Sequence, residues 1–172
     1  MDVYAKNTVE FVTVAVEYCL YLEHIREKNA EDLCTVMQKM LPLLYLKASL
    51  VEKPVAIELA DAPVYVTEIE YEQMRLAVSE LLGGQDDYLN GDEACSLSED
   101  LTDIYQDLKD MAMNYKSGDR ELTEAALGNC LDNFEDYWGR KLLLALRHLH
   151  ELRYSDKADQ DELSGQDYEG RD

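Results

Sequence analysis

No stretch of this chain reaches the roughly 18 consecutive apolar residues that a membrane span requires. The longest apolar-rich run, Val9 to Leu22, is broken by Glu10, Thr13 and Glu17. The basic, apolar and small-residue succession of a signal peptide is also missing, so a cytoplasmic location is expected. Basic residues are scarce, 16 against 37 acidic ones, for a formal charge of −21 over 172 residues. A field of that sign repels nucleic-acid phosphates and anionic lipid, which argues against both as partners and favours a basic protein. The four cysteines, Cys19, Cys34, Cys95 and Cys130, lie far apart without a C-x-x-C pair. They read as reduced core thiols rather than disulfides or zinc ligands. There is no Walker loop, no G-x-S-x-G, no G-x-G-x-x-G and no H-E-x-x-H; His24, His148 and His150 include no H-x-x-x-H pair. No cofactor is expected.

What is present is helical periodicity, and it predicts an all-α fold, an antiparallel bundle of about five helices. The first helix, about Asn7 to Lys28, is apolar around much of its circumference and is expected to be central. The second, Ala30 to Val51, contains Pro42, which removes a backbone donor and predicts a kink or break. "EKPVAIELADAPVYV", 52–66, holds two of the three prolines and reads as an extended connection or a short hairpin, the one place where a sheet is expected. Thr67 with Glu70 makes a capping box for a third helix that stops at Gly83-Gly84. "QDDYLNGDEAC" is a polar loop; read as a calcium loop from Asp86 it fails, because Tyr88 and Leu97 occupy ligand positions. Ser96 or Ser98 caps a fourth helix ending near Ser117-Gly118, and a fifth runs from about Arg120 to Arg153. Residues 1–154 form the single domain. Residues 155–172, with seven acidic and two basic residues, read as a disordered tail carrying −5, so −16 belongs to the domain.

The fourth helix raises the functional question. "SLSEDLTDIYQDLKDM" places Asp100, Asp103, Asp107 and Asp110 along one stripe. At 100° per residue, Asp100 and Asp107 fall at the edge of the buried face, while Asp103 and Asp110 point toward water. A short turn at 117–119 makes the last two helices antiparallel and brings Lys141 toward Asp100. The structural reading gives Asp100 a helix start and a lysine partner, with Asp→Asn changes at 100 or 107 costing ~0.5–2 kcal/mol. The alternative is a divalent-metal hydrolase acting on a phosphorylated small molecule, with Asp100, Asp103, Asp107 and Glu135 as ligands. No loop rich in Lys or Arg is present to hold the phosphates.

Several motifs together resemble a family of uncharacterised bacterial helical proteins, a domain of unknown function. They are the aromatic-rich "FVTVAVEYCLYLE" at 11–23, "LLYLKASL" at 43–50, "DLTDIYQDLK" at 100–109, "FEDYWG" at 134–139 and "ALRHLH" at 145–150. The resemblance spans about residues 9–152 and implies the helical fold and a bacterial, cytosolic origin, with no activity attached. Tyr137 departs from the pattern, where the family carries His. The matching positions Glu23, Asp100, Asp103, Tyr105, Asp107, Lys109, Glu135, Trp138, Arg147 and His150, together with Tyr137, are the candidate functional surface. It is expected where the acidic flank of the fourth helix meets Glu135. The leading functional expectation is a noncatalytic, acidic protein-interaction or adaptor domain; a third reading gives the motifs a role in fold stability alone.

Overall fold

The computed structural model describes residues 2–54 and 61–165, with side chains as far as Ser155. It is an all-α bundle built from α1 (Lys6–Glu23), α2 (Ala30–Ser49), α3 (Glu68–Leu82), α4 (Leu97–Ser117), α5 (Arg120–Asn133) and α6 (Gly139–Gly165). A five-residue π-helical turn, Phe134–Trp138, joins α5 to α6. The fifth helix expected from the sequence is thus one helical path with a π turn inside it. Among the described residues no helix is long and apolar enough to cross a membrane.

Local chemistry sets the helix ends. Asn29 caps α2 by accepting from the Asp32 N–H. Thr67 and Glu70 form the expected reciprocal capping box at α3, and Ser96 rather than Ser98 caps α4. Gly118 takes the left-handed conformation (φ 74°) that ends α4, and the adjacent Asp119 accepts from the Leu122 N–H to start α5. This tight reversal lays α5 antiparallel on α4.

The centre of the bundle is α4, not α1. α4 packs against α1, α3, α5 and α6. It buries Leu97, Leu101, Ile104, Leu108 and Met111 together with the polar Ser98, Asp100, Thr102, Asp103 and Asn114. α1 packs on α2 and α4 and leaves Val9, Val16 and Leu20 exposed, so its broad apolar surface does not make it central. It is tied to the core by Tyr18, whose buried hydroxyl donates to the Leu101 carbonyl at 2.7 Å. Burying that ring contributes about 2 kcal/mol or more, with the hydrogen bond removing the penalty of a buried hydroxyl.

α2 continues as one helix through Pro42, so the break allowed for there is absent. One further expectation is corrected. The segment read as a polar loop is a β-hairpin, β1 (Asp87–Asn90) antiparallel to β2 (Glu93–Ser96), with Asn90 opposite Glu93. Gly91 takes φ 63° at the first turn position and Asp92 does not have positive φ, the pattern of a type II′ turn, which matches the strand twist. By contrast, residues 52–54 and 61–66 hold no strand, and 55–60 lie outside the described residues. α6 is helical from Gly139 to Gly165, and the rest of the acidic segment read as a disordered tail, 166–172, lies outside the described residues together with the side chains from 156 onward.

Candidate functional site

Each carboxylate of the α4 stripe grips a different neighbouring element. Asp100 accepts a short hydrogen bond from the Tyr88 hydroxyl of β1 and stands 3.7 Å from Lys141 Nζ on α6. Asp103 accepts from the Tyr71 hydroxyl of α3 (2.6 Å) and the Tyr137 hydroxyl of the π turn (2.7 Å), and pairs with Lys141 at 2.6 Å. Asp107 accepts from Asn133 Nδ2 of α5 at 2.6 Å. Asp110 accepts from the backbone N–H groups of Tyr65 (2.7 Å) and Val66 (2.9 Å), anchoring the connection that leads into α3.

The expected partnership of Lys141 with Asp100 is present but shared, and the shorter contact is to Asp103. Lys141 also reaches Glu99 at 3.1 Å and lies over the Tyr137 ring, 5.3 Å from its centroid. The expectation that Asp103 and Asp110 face water is overturned. Asp103 is 8% exposed and Asp110 is half-buried. A helical wheel orders residues around one helix only; here α3 and the π turn close over the flank of α4 that carries Asp103.

Burial dominates the electrostatics. It raises the Asp100 carboxyl to about 6, against the lowering effects of Tyr88 and Lys141, with Asp103 and Glu99 adding repulsion. It raises Asp107 to about 6 as well, opposed by the Asn133 hydrogen bond and reinforced by Asp110 and Asp103. For Lys141 burial is the largest single influence and works against the charge, but Asp103, Glu99 and Tyr137 together outweigh it and the net shift is upward. Burial and the adjacent carboxylates likewise hold the Tyr71, Tyr88 and Tyr137 hydroxyls protonated as donors.

The other residues of the candidate surface divide among separate places. Glu23 accepts from Tyr105 (3.0 Å) and closely from Lys109, tying α1 to α4. Glu135 and Asp132 share Lys53, at 2.6 Å and 2.8 Å. Trp138 is fully buried and donates to the Cys130 carbonyl at 2.9 Å. Arg147 donates to the Leu89 carbonyl of β1 at 2.9 Å, while His150 meets the Tyr154 ring further along α6. The structure therefore unites Asp100, Asp103 and Tyr137 around Lys141, and leaves Glu23, Glu135 and His150 outside that group. Tyr137 serves as a donor to Asp103.

Sequence reasoning missed Tyr71, Tyr88, Asn133 and Asp86. Asp86 is buried and accepts from both the N–H and the hydroxyl of Ser98, each at 2.7 Å, at the start of α4. Only Tyr71 had a signal, its inward position on α3. Among the described residues, no group of three or more His, Cys, Asp or Glu side chains is arranged to hold a metal ion. The physical reason is visible at Lys141, whose ammonium occupies the point on which Glu99, Asp100 and Asp103 converge.

The fold is shared with a solved protein. The crystal structure of protein BF1032 from Bacteroides fragilis is 40% identical in sequence, covering 89% of this chain and 96% of that one, with a TM-score of 0.85. No curated protein matches the chain. Residues 2–155 match the model of the domain of unknown function DUF5063, and the chain belongs to that family.

Proposed function

We propose that this domain is a noncatalytic interaction module that presents an acidic surface to a basic protein. The observation that carries the reading is how the basic residues are used. Lys47, Lys53, Lys109 and Lys141 are bound into ion pairs with Glu10, Asp132 and Glu135, Glu23, and the α4 cluster. These four cations are thus engaged by carboxylates of the fold, while the domain sequence carries −16. The surplus faces outward, as at the hairpin, where Asp87, Asp92 and Glu93 are exposed beside the exposed Leu89. That hairpin is held firmly. Tyr88 is pinned to Asp100 and stacks on His148 with ring centroids 4.7 Å apart, and Arg147 holds the Leu89 carbonyl.

The rival reading, a divalent-metal hydrolase, loses support from the same geometry. Its proposed ligands are dispersed: Asp100 and Asp103 to Lys141, Asp107 to Asn133 and Glu135 to Lys53.

Affinity capture with the full chain at low salt tests the proposal. Retained proteins should carry net positive charge and elute as salt shortens the Debye length from about 10 Å at 0.1 M to about 3 Å at 1 M. Neutralising Asp87, Asp92 and Glu93 together should weaken that retention. Acidic or neutral partners, or retention indifferent to salt, would overturn it.

A further inference from the structure

A cavity of about 160 Å³ lies between the 62–64 connection, α4 and α5, lined by Asp107, Asp110, Asn114, Asn129, Asn133 and apolar side chains. We propose that it is a binding site for a primary ammonium group on a short alkyl chain. This inference does not rest on the surface charge that supports the proposed function.

The wall is rich in acceptors and poor in donors. Asn114 is 1% exposed; its Nδ2 donates to the Pro63 and Asp110 carbonyls, both at 2.9 Å. Its Oδ1 is buried and accepts from no described residue. A buried acceptor without a donor costs ~1–3 kcal/mol, so this oxygen calls for a donor, whether a water, an ion or a ligand. Asp107 has one oxygen on Asn133, and Asp110 has one oxygen on two backbone N–H groups. The second oxygen of each is uncommitted among the described residues.

Charge separates this pocket from the rest of the stripe. Asp100 and Asp103 have Lys141, Glu23 has Lys109, and Glu135 has Lys53. Asp107 and Asp110 have only neutral donors, and the charges that act on them are negative: Asp110 and Asp103 on Asp107, and Glu70 on Asp110. Two half-buried carboxylates and an orphan amide oxygen match an –NH₃⁺ group, which brings one positive charge, three donors and no acceptor. A water molecule satisfies Asn114 but leaves the charge uncompensated. A divalent metal lacks a suitable ligand group among the described residues. Pro63, Val64, Met111 and Ala126 supply an apolar wall for methylene groups. At ~30 Å³ per water the space holds about five waters, enough for a four-carbon amine. Exposed Val64, Asn129 and Asn133 form the mouth.

The source of the ammonium is either a free alkylamine or a lysine side chain, and two probes distinguish them. The ¹⁵N-labelled full chain is titrated with n-butylammonium chloride and separately with Nα-acetyl-lysine methylamide, against sodium and potassium chloride at equal ionic strength. Saturable shifts are expected at the side-chain amides of Asn114, Asn129 and Asn133, and not at Asn7 or Asn29. Asp107→Asn, which keeps the shape of the pocket, should weaken binding about tenfold, the size of one charge-assisted contact. Tighter binding of the lysine probe assigns the site to protein lysine, and tighter binding of butylammonium assigns it to free amines. No localised shift, equal shifts with sodium or potassium, or unchanged affinity in Asp107→Asn would overturn the proposal. None of those results bears on the salt-dependent capture of basic proteins, so the two readings fail separately.

Discussion

Lys141 Nζ lies 2.6 Å from Asp103 Oδ2, and this pair fastens α6 to α4 at the most enclosed part of the acidic stripe. Their side chains are 19% and 10% exposed, so water screens the pair poorly. Two tyrosines donate to the same carboxylate from α3 and the π turn. Four elements therefore meet at Asp103.

Breaking that junction from either side should be costly. Asp103→Asn and Lys141→Gln should each lower unfolding free energy by ~2–4 kcal/mol, a little under the range for a fully buried pair because both side chains keep some exposure. The double variant should cost at least ~1 kcal/mol less than the sum of the singles, because the partners act together. Urea unfolding of the four proteins measures the coupling. Strict additivity would show that the contact contributes nothing as a pair.

The pH profile should carry the mark of Asp100 and Asp107. Both have folded pKa values near 6, raised by burial above the 3.8 of a free aspartate. A raised carboxyl pKa makes the protonated form the one favoured by folding. The stability it contributes is full below the unfolded value and is lost as pH rises through about 6. Glu10, Glu70 and Glu72 have lowered values, so their contribution holds at neutral pH and vanishes only in stronger acid. The melting temperature should therefore rise on acidification from pH 7.5 and pass its maximum near about pH 5. Asp107→Asn should stabilise at pH 7.5, on the order of 1 kcal/mol after discounting for exposure, and flatten the rise. This reverses the sign expected from the sequence, which placed Asp107 at a packing edge where its loss is costly and did not foresee that no cation meets it. A melting temperature that falls monotonically from pH 7.5 to 5 would refute the assignment.

Gly139 makes the π turn possible. A Cβ built there would stand 2.4 Å from the Phe134 carbonyl oxygen and 2.9 Å from a carbon of its ring. In an ordinary helix, Gly→Ala gains about 1 kcal/mol. Here the overlap is with backbone as well as side chain, so Gly139→Ala should instead destabilise by ~1–3 kcal/mol. Trp138, the single tryptophan, sits next to the turn with its ring centroid 4.7 Å from that of Phe134. Its fluorescence should change in the same variant. An unaltered spectrum with raised stability would show that the turn accommodates a methyl group.

The fold was largely legible because its helices carry regular apolar stripes and good caps. Leu97, Leu101, Ile104, Leu108 and Met111 announce α4, and all are buried. Three features were harder to read, each for its own reason. The hairpin has four-residue strands too short for an alternation signal, although Gly91-Asp92 is a turn pair suited to it. The π turn is imprinted in the stripe Leu131, Phe134, Trp138, Leu142 and Ala145, where two successive steps of four replace the usual alternation of three and four. Such a stutter also occurs without a π turn. The burial of Asp103 was not legible at all, since it depends on tyrosines 32 and 34 residues away in sequence. Of the candidate surface, the sequence indicated only that the Asp100 end of α4 lies near Lys141, a contact the structure shows at 3.7 Å. That Glu135 and His150 lie apart from it follows only from the packing.

Metal titration separates the two readings of the stripe. In the wild type, the ammonium of Lys141 stands 3.7 Å from Asp100, 2.6 Å from Asp103 and 3.1 Å from Glu99, where a cation shared by all three would sit. Mn²⁺ or Mg²⁺ must displace that charge to bind, so neither should raise the melting temperature. Lys141→Met removes the resident charge and leaves two buried carboxylates repelling each other beside a third, exposed one. That variant should be less stable in chelator, and Mn²⁺ should restore part of the loss, growing with the logarithm of its concentration once above the dissociation constant. Asp103→Asn in the same background should abolish the recovery, because the middle ligand is gone. A saturable rise in the wild type at low Mn²⁺, eliminated by Asp107→Asn, would mean that the carboxylates act as ligands in spite of Lys141. The structural account of the stripe would then fail at its centre.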